Sequence, residues 1–149
     1  MTTPTDILDG IVATLTSSVD MLDCASIDNY LPAIRSDKVG LIAVGTGHET
    51  EITAATMTLV QYVHRMRLQL WVKLVQGGEA AANDTARDIG YLCMRSLIEH
   101  DGDGYALALE DGRGALMSYE VDQQVVSAGG QAYIIGTLTV PVWQIEEVG

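Results

Sequence analysis

Apolar residues recur at helical spacing near the start of the chain. The members of this set are separated by one, three or four positions, and they are Ile7, Leu8, Ile11, Leu15, Val19 and Leu22. Such spacing places side chains on one face of a helix. Pro4 suits the first helical turn, and Thr3 suits the capping position before it. The pattern predicts an amphipathic helix over about residues 4 to 22.

The strongest pattern in the chain is an alternation with a period of two between residues 58 and 74. One side is apolar apart from a histidine: Val60, Tyr62, His64, Met66, Leu68, Leu70, Val72 and Leu74. The other side is largely polar: Leu59, Gln61, Val63, Arg65, Arg67, Gln69, Trp71 and Lys73. This alternation predicts a strand that buries one of its two faces.

The length of this strand conflicts with the size of the domain. A straight strand of ~17 residues that rises ~3.3 Å per residue extends for ~56 Å. A compact domain of 149 residues spans only roughly 40 Å. We therefore expect the strand either to bend at a bulge or to project from the domain at one end as an arm.

Three shorter segments lie between the first helix and the long strand. Leu31 to Ile34 reads as extended, because Pro32 disfavours helical angles at the residue before it. Residues 39 to 44 form an apolar run of strand length. Residues 45 to 51 are polar and include two glycines, so they predict a loop.

The second half of the chain predicts one helix and a hairpin. Asn83 offers a cap for a helix that continues through Ile98, and a turn follows at residues 101 to 104. Residues 116 to 126 and 132 to 145 look strand-like, and the two glycines between them suit a hairpin connection. Pro141 cannot donate a backbone hydrogen bond, which indicates an edge or irregular position in the last strand.

The order of these elements is helix, strands, helix, strands. It predicts an α+β fold, in which two main helices pack on one face of a mainly antiparallel sheet and the long strand or a hairpin forms an arm. Hydrophobic residues make up 48% of the chain, which is enough to bury a core. We expect a single domain over residues 1–149.

The chain is strongly acidic. Eight Lys plus Arg against twenty Asp plus Glu give a net charge of -12, so the protein repels phosphate-rich partners and anionic membrane surfaces. No apolar run approaches the ~20 residues that cross a bilayer, and the first residues lack a secretory pattern. We therefore expect folding inside the cell, with Cys24 and Cys93 as reduced, partly buried thiols.

Candidate ligand sites are weak. Gly45 and Gly47 follow a predicted strand, but Thr50 stands where a dinucleotide-binding loop has its third glycine. The acidic residues Asp101, Asp103, Glu110 and Asp111 lack the spacing of a calcium loop. These segments predict surface loops and solvated turns.

Candidate catalytic groups are also sparse. The three histidines, His48, His64 and His100, lack the short spacing at which two imidazoles bind one metal ion. His64 lies on the apolar side of the long strand, so we predict that it has a partner in the core or in an interface. No Gly-x-Ser-x-Gly motif or cysteine-protease signature occurs. We expect no enzymatic activity, no cofactor and no metal site.

The polar side of the long strand contrasts with the rest of the chain in charge. It carries three of the eight basic residues together with an amide and an indole: Arg65, Arg67, Gln69, Trp71 and Lys73. Two interpretations remain open. The face is either solvated, or it is a subunit interface in which the cations meet acidic groups of a neighbouring copy and Trp71 is the apolar anchor.

The layout of the chain resembles that of the tail terminator, or tail completion, proteins of long-tailed bacteriophages. The segments that carry the resemblance cover nearly the whole chain: the opening helix at 4 to 22, Leu-Pro-Ala-Ile at 31 to 34, Val-Gly-Leu-Ile-Ala-Val at 39 to 44, the long strand at 58 to 74, Asn-Asp-Thr-Ala-Arg-Asp-Ile at 83 to 89, and Gly-Thr-Leu-Thr-Val-Pro-Val-Trp at 136 to 143.

The resemblance implies a structural virion protein of the tail-neck region, assembled in the host cytoplasm. Such a protein forms a homohexameric ring on the last ring of the tail tube and stops tube polymerisation. It also offers a surface to head-completion or connector proteins, while DNA passes through the lumen without specific binding. No catalytic or cofactor-binding residues follow from the resemblance.

Two other functions remain open at this point. The first is a head-tail connector or another minor tail protein of similar size. The second belongs to a different class, a small ligand-binding or enzymatic domain whose site is assembled only by the fold.

Overall fold

The structure is a computed structural model that describes residues 2–19, 22–26, 40–44, 48–74, 78–108, 117–128 and 130–148. Its elements in chain order are α1 (Pro4–Ser18), β1 (Leu22–Ser26), β2 (Gly40–Val44), β3 (His48–Ala55), β4 (Leu59–Lys73), α2 (Gly78–Glu99), β5 (Ser118–Ala128) and β6 (Gln131–Glu147). The predicted extended segment at 31 to 34 and the glycines of the 45 to 47 loop lie outside the described residues. The α+β class is confirmed.

The strands form one six-stranded sheet with the order β1-β2-β4-β6-β5, and β3 pairs with β4 off this path. Every pairing is antiparallel except that of β1 with β2. Because β6 occupies one edge of β4 over all fifteen residues of that strand, β2 and β3 share the other edge. The predicted antiparallel sheet and the hairpin of β5 and β6 are both confirmed.

Both helices pack on one face of the sheet, as predicted. The core between them combines residues of α1, α2, β2, β4 and β6, and its most deeply buried large side chains are Ile11, Leu15, Ile42, Met66, Leu68, Leu70, Ile89, Leu97, Ile134 and Leu138. The even-numbered residues of β4 from Met66 to Val72 all belong to this core. The alternation in the long strand therefore identified its buried face correctly.

Helix α1 begins as the sequence predicts and ends earlier. The backbone N–H of Thr3 donates to Asp6 Oδ2 at 2.9 Å, and the N–H of Asp6 donates to Thr3 Oγ1 at 3.2 Å, which is a reciprocal capping box. The helix ends at Ser18 rather than at residue 22, because Val19 is extended and Leu22 begins β1. Apolar spacing alone does not separate Leu22 in a helix from Leu22 in a strand.

Helix α2 begins five residues before the predicted cap. Asn83 lies within the helix, where its side-chain Nδ2 donates to the carbonyl of Glu79 at 3.0 Å. The expectation that Asn83 caps the helix is therefore wrong. Residues 78 to 82 consist of small and acidic residues, which carry no apolar periodicity from which an earlier start could be recognised.

Two further expectations are corrected by the sheet. The polar loop expected at residues 45 to 51 is strand β3 from His48 onward, and all eight residues of β3 are exposed. Strand β3 has no apolar face, so its pairing follows from the available edge of β4. Pro141 does not lie at an edge of the sheet, since it pairs with Arg65 in β6. The irregular position that the sequence also predicted is present, because β5 pairs with β6 only as far as Thr139.

Pro141 is tolerated because the neighbour of β6 changes at this point. On the edge away from β4, β5 pairs only as far as Thr139, and Leu107 bridges to Val142. The N–H of Ala108 donates to the carbonyl of Pro141 at 3.0 Å. In a strand the N–H and C=O of one residue point to the same side. The side on which Pro141 lacks an N–H is therefore the side where the neighbour of β6 changes from β5 to Leu107.

Tyr119 of β5 sets the distance between α2 and the sheet. Its ring lies between Gly90 of α2 and Gly136 of β6, and a Cβ atom added at either glycine would overlap the ring or its hydroxyl. The hydroxyl donates to the carbonyl of Ala86 at 2.8 Å. Burial raises the pKa of Tyr119, which keeps the hydroxyl protonated as a donor.

Candidate subunit interface

One end of the sheet lies outside the core under the helices, and part of it borders the start of α1 and the segment that follows α2. We call this three-stranded part, residues 48–63 and 143–147, the arm. β3 pairs with the first half of β4, and residues 143–147 of β6 pair with it on the other side. None of the arm residues belongs to the core under the helices. The register of β4 with β6 has no shift, and the bulge lies in β3 between Ile52 and Ala54, so β4 runs through into the arm.

The arm exposes apolar side chains near its tip. Ile52 is 60% exposed, Met57 95%, Leu59 43% and Ile145 56%. These four are half of the eight exposed large apolar residues in the described ranges, so exposure of apolar surface is concentrated in the arm. Concentrated apolar exposure marks a contact surface, whereas isolated apolar residues do not.

The apolar residues of the tip lie on both faces of the arm. Leu59 pairs with Glu147, and Gln61 pairs with Ile145, so Leu59 and Ile145 are diagonal neighbours on the face opposite to the helices. Ile52 pairs with Tyr62, which places it on the other face. Met57 lies in the connection between β3 and β4. The exposed apolar side chains therefore lie on both faces of the arm and in its connection.

A buried histidine joins the strands at the base of the arm. His64 is 2% exposed; its Nδ1 lies 2.8 Å from Thr50 Oγ1, and its Nε2 lies 2.7 Å from Gln144 Oε1. The amide nitrogen of Gln144 donates to the carbonyl of Thr2 at 2.7 Å, which fixes its oxygen as the acceptor from His64. Tyr62 stacks on the imidazole with 5.6 Å between ring centroids. The prediction of a partnered His64 is confirmed.

This network holds the arm in one orientation. It connects β3, β4 and β6 with each other and with the backbone just before α1. A network in which a buried histidine has a partner at each ring nitrogen favours one packing arrangement. The arm is therefore presented as a preorganised surface.

The five residues predicted for a subunit interface all lie on β4, and their side chains occupy the face away from the helices. Arg65 Nη1 lies 3.5 Å from Glu49 Oε1 and 3.0 Å from Glu51 Oε2, and both acids belong to β3 of the same chain. Arg67 is exposed and Lys73 is half-buried. Arg65 thus serves the pairing of β3 with β4, and Arg67 is the most accessible cation of the set.

The burial of Trp71 within its own chain argues against its predicted role as the apolar anchor that contacts a neighbouring copy. It is 9% exposed and contacts Tyr133 edge-on, with 5.4 Å between ring centroids and 71° between ring planes. Its Nε1–H donates to Gln69 Oε1 at 3.1 Å. The ring stabilises the sheet of its own chain. On the same face, Val63 is buried together with Ala108, so this face is less polar than the sequence indicated.

A second apolar surface lies on the outer side of α2. Tyr91 is 57% exposed, Leu92 40% and Ile98 53%. A shallow depression of about 470 Å³ is lined by Tyr91, Met94, Arg95, Ile98 and Glu99. Spacings of three and four residues place these side chains on one side of the helix. Sequence reasoning missed this surface and the tip of the arm, although Ile52 and Met57 stand out as apolar residues within a polar stretch.

Three ionisable groups that follow α2 have structural partners. Asp101 Oδ1 accepts a hydrogen bond from the N–H of Leu107 at 2.8 Å, and His100 Nδ1 lies 3.2 Å from Asp103 Oδ2. Within the described ranges, no group of three or more His, Cys, Asp or Glu could hold a metal ion. Glu110 and Asp111 fall outside those ranges. The expected solvated turn at 101 to 104 is present.

Cys93 is a buried free thiol packed in the core. Burial raises the pKa of Cys93 to about 12, because the thiolate is disfavoured in apolar surroundings. Since the thiolate is the nucleophilic form of cysteine, Cys93 is chemically inert in the folded protein. The side chain of Cys24 lies outside the part that the structure describes.

Neither α1 nor α2, the two helices of the described residues, has the combination of length and apolar character that crosses a bilayer. Comparison of the sequence with models of protein families and with curated proteins finds no match.

Proposed function

We propose that this chain is a structural assembly protein that forms a ring on the end of a bacteriophage tail tube and stops tube polymerisation. The observation that carries the proposal is the arm, an end of the sheet that lies outside the core under the helices and presents exposed apolar side chains. The layout of helices and strands, which resembles that of tail terminator proteins, supplies the family context.

The arm supports assembly through its side chains. The backbone of β4 is paired by β6 along its full length and by β3 over its first half, so the strand needs no neighbouring copy to complete its hydrogen bonds. Met57 and Ile145, in contrast, expose most of their side chains. Removing such apolar area from water contributes about 25 cal/mol per Å² buried, which favours a contact between subunits.

A ring with two unlike faces explains how polymerisation stops. A contact between different surfaces of identical subunits closes into a ring when its rotation permits closure. If one face of the ring matches the tube end and the other does not, no further tube ring is added. The second face is then available to a head-completion or connector protein.

The charge of the chain suits a passage for DNA. A net charge of -12 gives a surface that does not collect phosphate groups. DNA passing through the lumen of the ring would therefore slide without being retained. This proposal places the protein at the tail-neck region of the virion, with the tail tube protein and a connector protein as partners.

Electron microscopy of particles that lack the protein tests this function directly. Loss of a terminator yields overlong tails, whereas loss of a head-tail connector yields tails of normal length detached from heads. Native mass spectrometry of the purified protein, alone and mixed with tail tubes, provides the second measurement. A monomer that never associates with tube ends would refute the proposal.

A further inference from the structure

The described methionines differ widely in solvent exposure. Met57 is 95% exposed, whereas Met66 is 2% exposed and lies in the core. Met94 and Met117 are half-buried and pack against that core. Among the methionines that the structure describes, Met57 is therefore the one whose thioether is most accessible to a dissolved reagent.

A compact turn presents Met57 at the tip of the arm. The N–H of Thr56 donates to the carbonyl of Leu59 at 2.8 Å. Thr56 Oγ1 also accepts from the N–H of Thr58 at 3.3 Å and from the N–H of Leu59 at 3.0 Å. None of these bonds involves the side chain of Met57. The turn therefore orders the backbone around Met57 and leaves its side chain in solvent.

Met57 differs in chemistry from the other exposed apolar residues of the arm. Ile52, Leu59 and Ile145 have hydrocarbon side chains, which hydroperoxides do not readily oxidise. The thioether of methionine is oxidised to a sulfoxide, which converts a flexible apolar side chain into a polar one. At Met57 this change falls on the apolar surface that the proposed ring uses.

We propose that Met57 is an oxidation site that controls assembly: a hydroperoxide converts its thioether to the sulfoxide in the free subunit, and the polar tip no longer forms the contact between subunits. This inference rests on the proposed ring and names a means of regulating it. In the reaction the sulfur attacks one peroxide oxygen, so that an S–O bond forms and the O–O bond breaks. The proton of the transferred oxygen passes to the leaving oxygen, which departs as water or an alcohol. The sulfur loses two electrons and the peroxide gains them.

The sulfoxide affects association rather than folding. In the free subunit Met57 lies in solvent, so the new oxygen stays hydrated and the fold is unchanged. In an interface the same oxygen loses its water, and burying a polar group without a hydrogen-bond donor costs free energy. We expect association to weaken by roughly tenfold or more. Assembly in turn covers the sulfur, so the site responds before the ring closes.

The modification is reversible. Reductases return methionine sulfoxide to methionine, with one enzyme for each epimer at sulfur. Because Met57 lies in an exposed turn, such an enzyme reaches the sulfoxide without unfolding the chain. Assembly lost by oxidation should therefore be recovered by reduction.

Limited oxidation with hydrogen peroxide, followed by mass mapping of peptides, tests the site itself. Met57 should gain one oxygen atom first, at the rate of a methionine in an unstructured peptide, because its side chain is in solvent. Met94 and Met117 should follow, and Met66 should react last. If any of these three reacts as fast as Met57 in the folded protein, the assignment of Met57 is overturned.

Native mass spectrometry of the protein, alone and mixed with tail tubes, tests the effect on assembly. Met57→Leu is the matched control, since it removes the sulfur and keeps an apolar side chain, and Met57→Gln introduces a polar side chain without oxidation. We expect limited oxidation to abolish rings of the wild type and to leave rings of Met57→Leu intact. Met57→Gln should assemble poorly without peroxide. Treatment of the oxidised wild type with both reductases should restore rings, while its melting temperature as a monomer stays unchanged throughout.

The outcomes separate this inference from the proposed ring. Oxidised wild type or Met57→Gln that assembles normally, or Met57→Leu that loses its rings on limited oxidation, would overturn control by Met57 and leave the ring function in place. Reduced wild type that stays monomeric both alone and with tail tubes would overturn the ring function, and control of assembly with it. The order in which the peptides are oxidised then still decides whether Met57 is the preferred site.

Discussion

Gly90 lies in close contact with the ring of Tyr119. We therefore predict that Gly90→Ala destabilises the wild-type protein and stabilises the Tyr119→Ala variant. In Gly90→Ala, the new Cβ overlaps three atoms of the Tyr119 ring, and overpacking of this kind costs about 1–3 kcal/mol. Alanine in place of glycine within a helix recovers about 0.8–1.0 kcal/mol. Since the overlap is deep and involves a rigid ring, we use the upper end of the overpacking cost, about 3 kcal/mol, which leaves a net loss of about 2 kcal/mol.

Tyr119→Ala removes the ring that the new Cβ atom of Gly90→Ala would overlap. In Tyr119→Ala, the ring and its hydrogen bond to the carbonyl of Ala86 are both absent, so Gly90→Ala no longer meets a neighbour on that side. Only the helical preference of alanine then remains. We expect Gly90→Ala to stabilise the Tyr119→Ala protein by about 0.5–1 kcal/mol. A change of sign between two backgrounds identifies a direct contact between the two positions.

Chemical and thermal denaturation followed by circular dichroism measure both effects. A loss of about 2 kcal/mol corresponds to roughly 6 °C in melting temperature for a chain of this size. All proteins should be compared at one concentration, because association of subunits adds to apparent stability. If Gly90→Ala stabilises both proteins equally, the ring of Tyr119 does not pack between α2 and β6. Tyr119 then does not set the position of α2.

Three further predictions concern other sites. Arg67→Glu should reduce subunit assembly more than it reduces the stability of the monomer, and an unchanged oligomer mass would contradict this. His64→Ala should destabilise the fold by about 2–4 kcal/mol, because it leaves a cavity and removes partners from Thr50 and Gln144; a loss below about 1 kcal/mol in urea denaturation would count against the network. Cys93 stays protonated in the folded protein, because burial raises its pKa to about 12. Its contribution to stability is therefore complete below pH about 9 and is lost as pH rises toward about 12. Iodoacetamide at pH 8 should leave the Cys93 peptide unmodified until the protein unfolds.

The elements that the sequence predicted best are those whose buried face repeats over many residues. The period-two alternation of β4 places Met66, Leu68 and Leu70 in one buried row, and a slip of one residue would expose the whole row. The start of α1 was equally predictable, since the bonds between Thr3 and Asp6 are local in the chain.

The candidate interface was less predictable, because its properties depend on contacts between distant parts of the chain. The sequence placed Trp71 on a polar face, and only the packing of Tyr133 against it shows that the ring is buried. Ile145 and Leu59 meet at the tip of the arm although 86 residues separate them.

The amino-acid pattern alone therefore determined the class of fold, the two helices, the long strand and the acidic character of the surface, because each depends on residues close together in the chain. Tertiary structure alone decided that β3 completes the arm, that Pro141 lies in a central strand, and that apolar side chains remain exposed at two separate places. Strand partners, and the exposure of side chains at the edges of the sheet, are set by which surfaces meet after folding. Local periodicity indicates which face of a strand is buried but not which strand it pairs with.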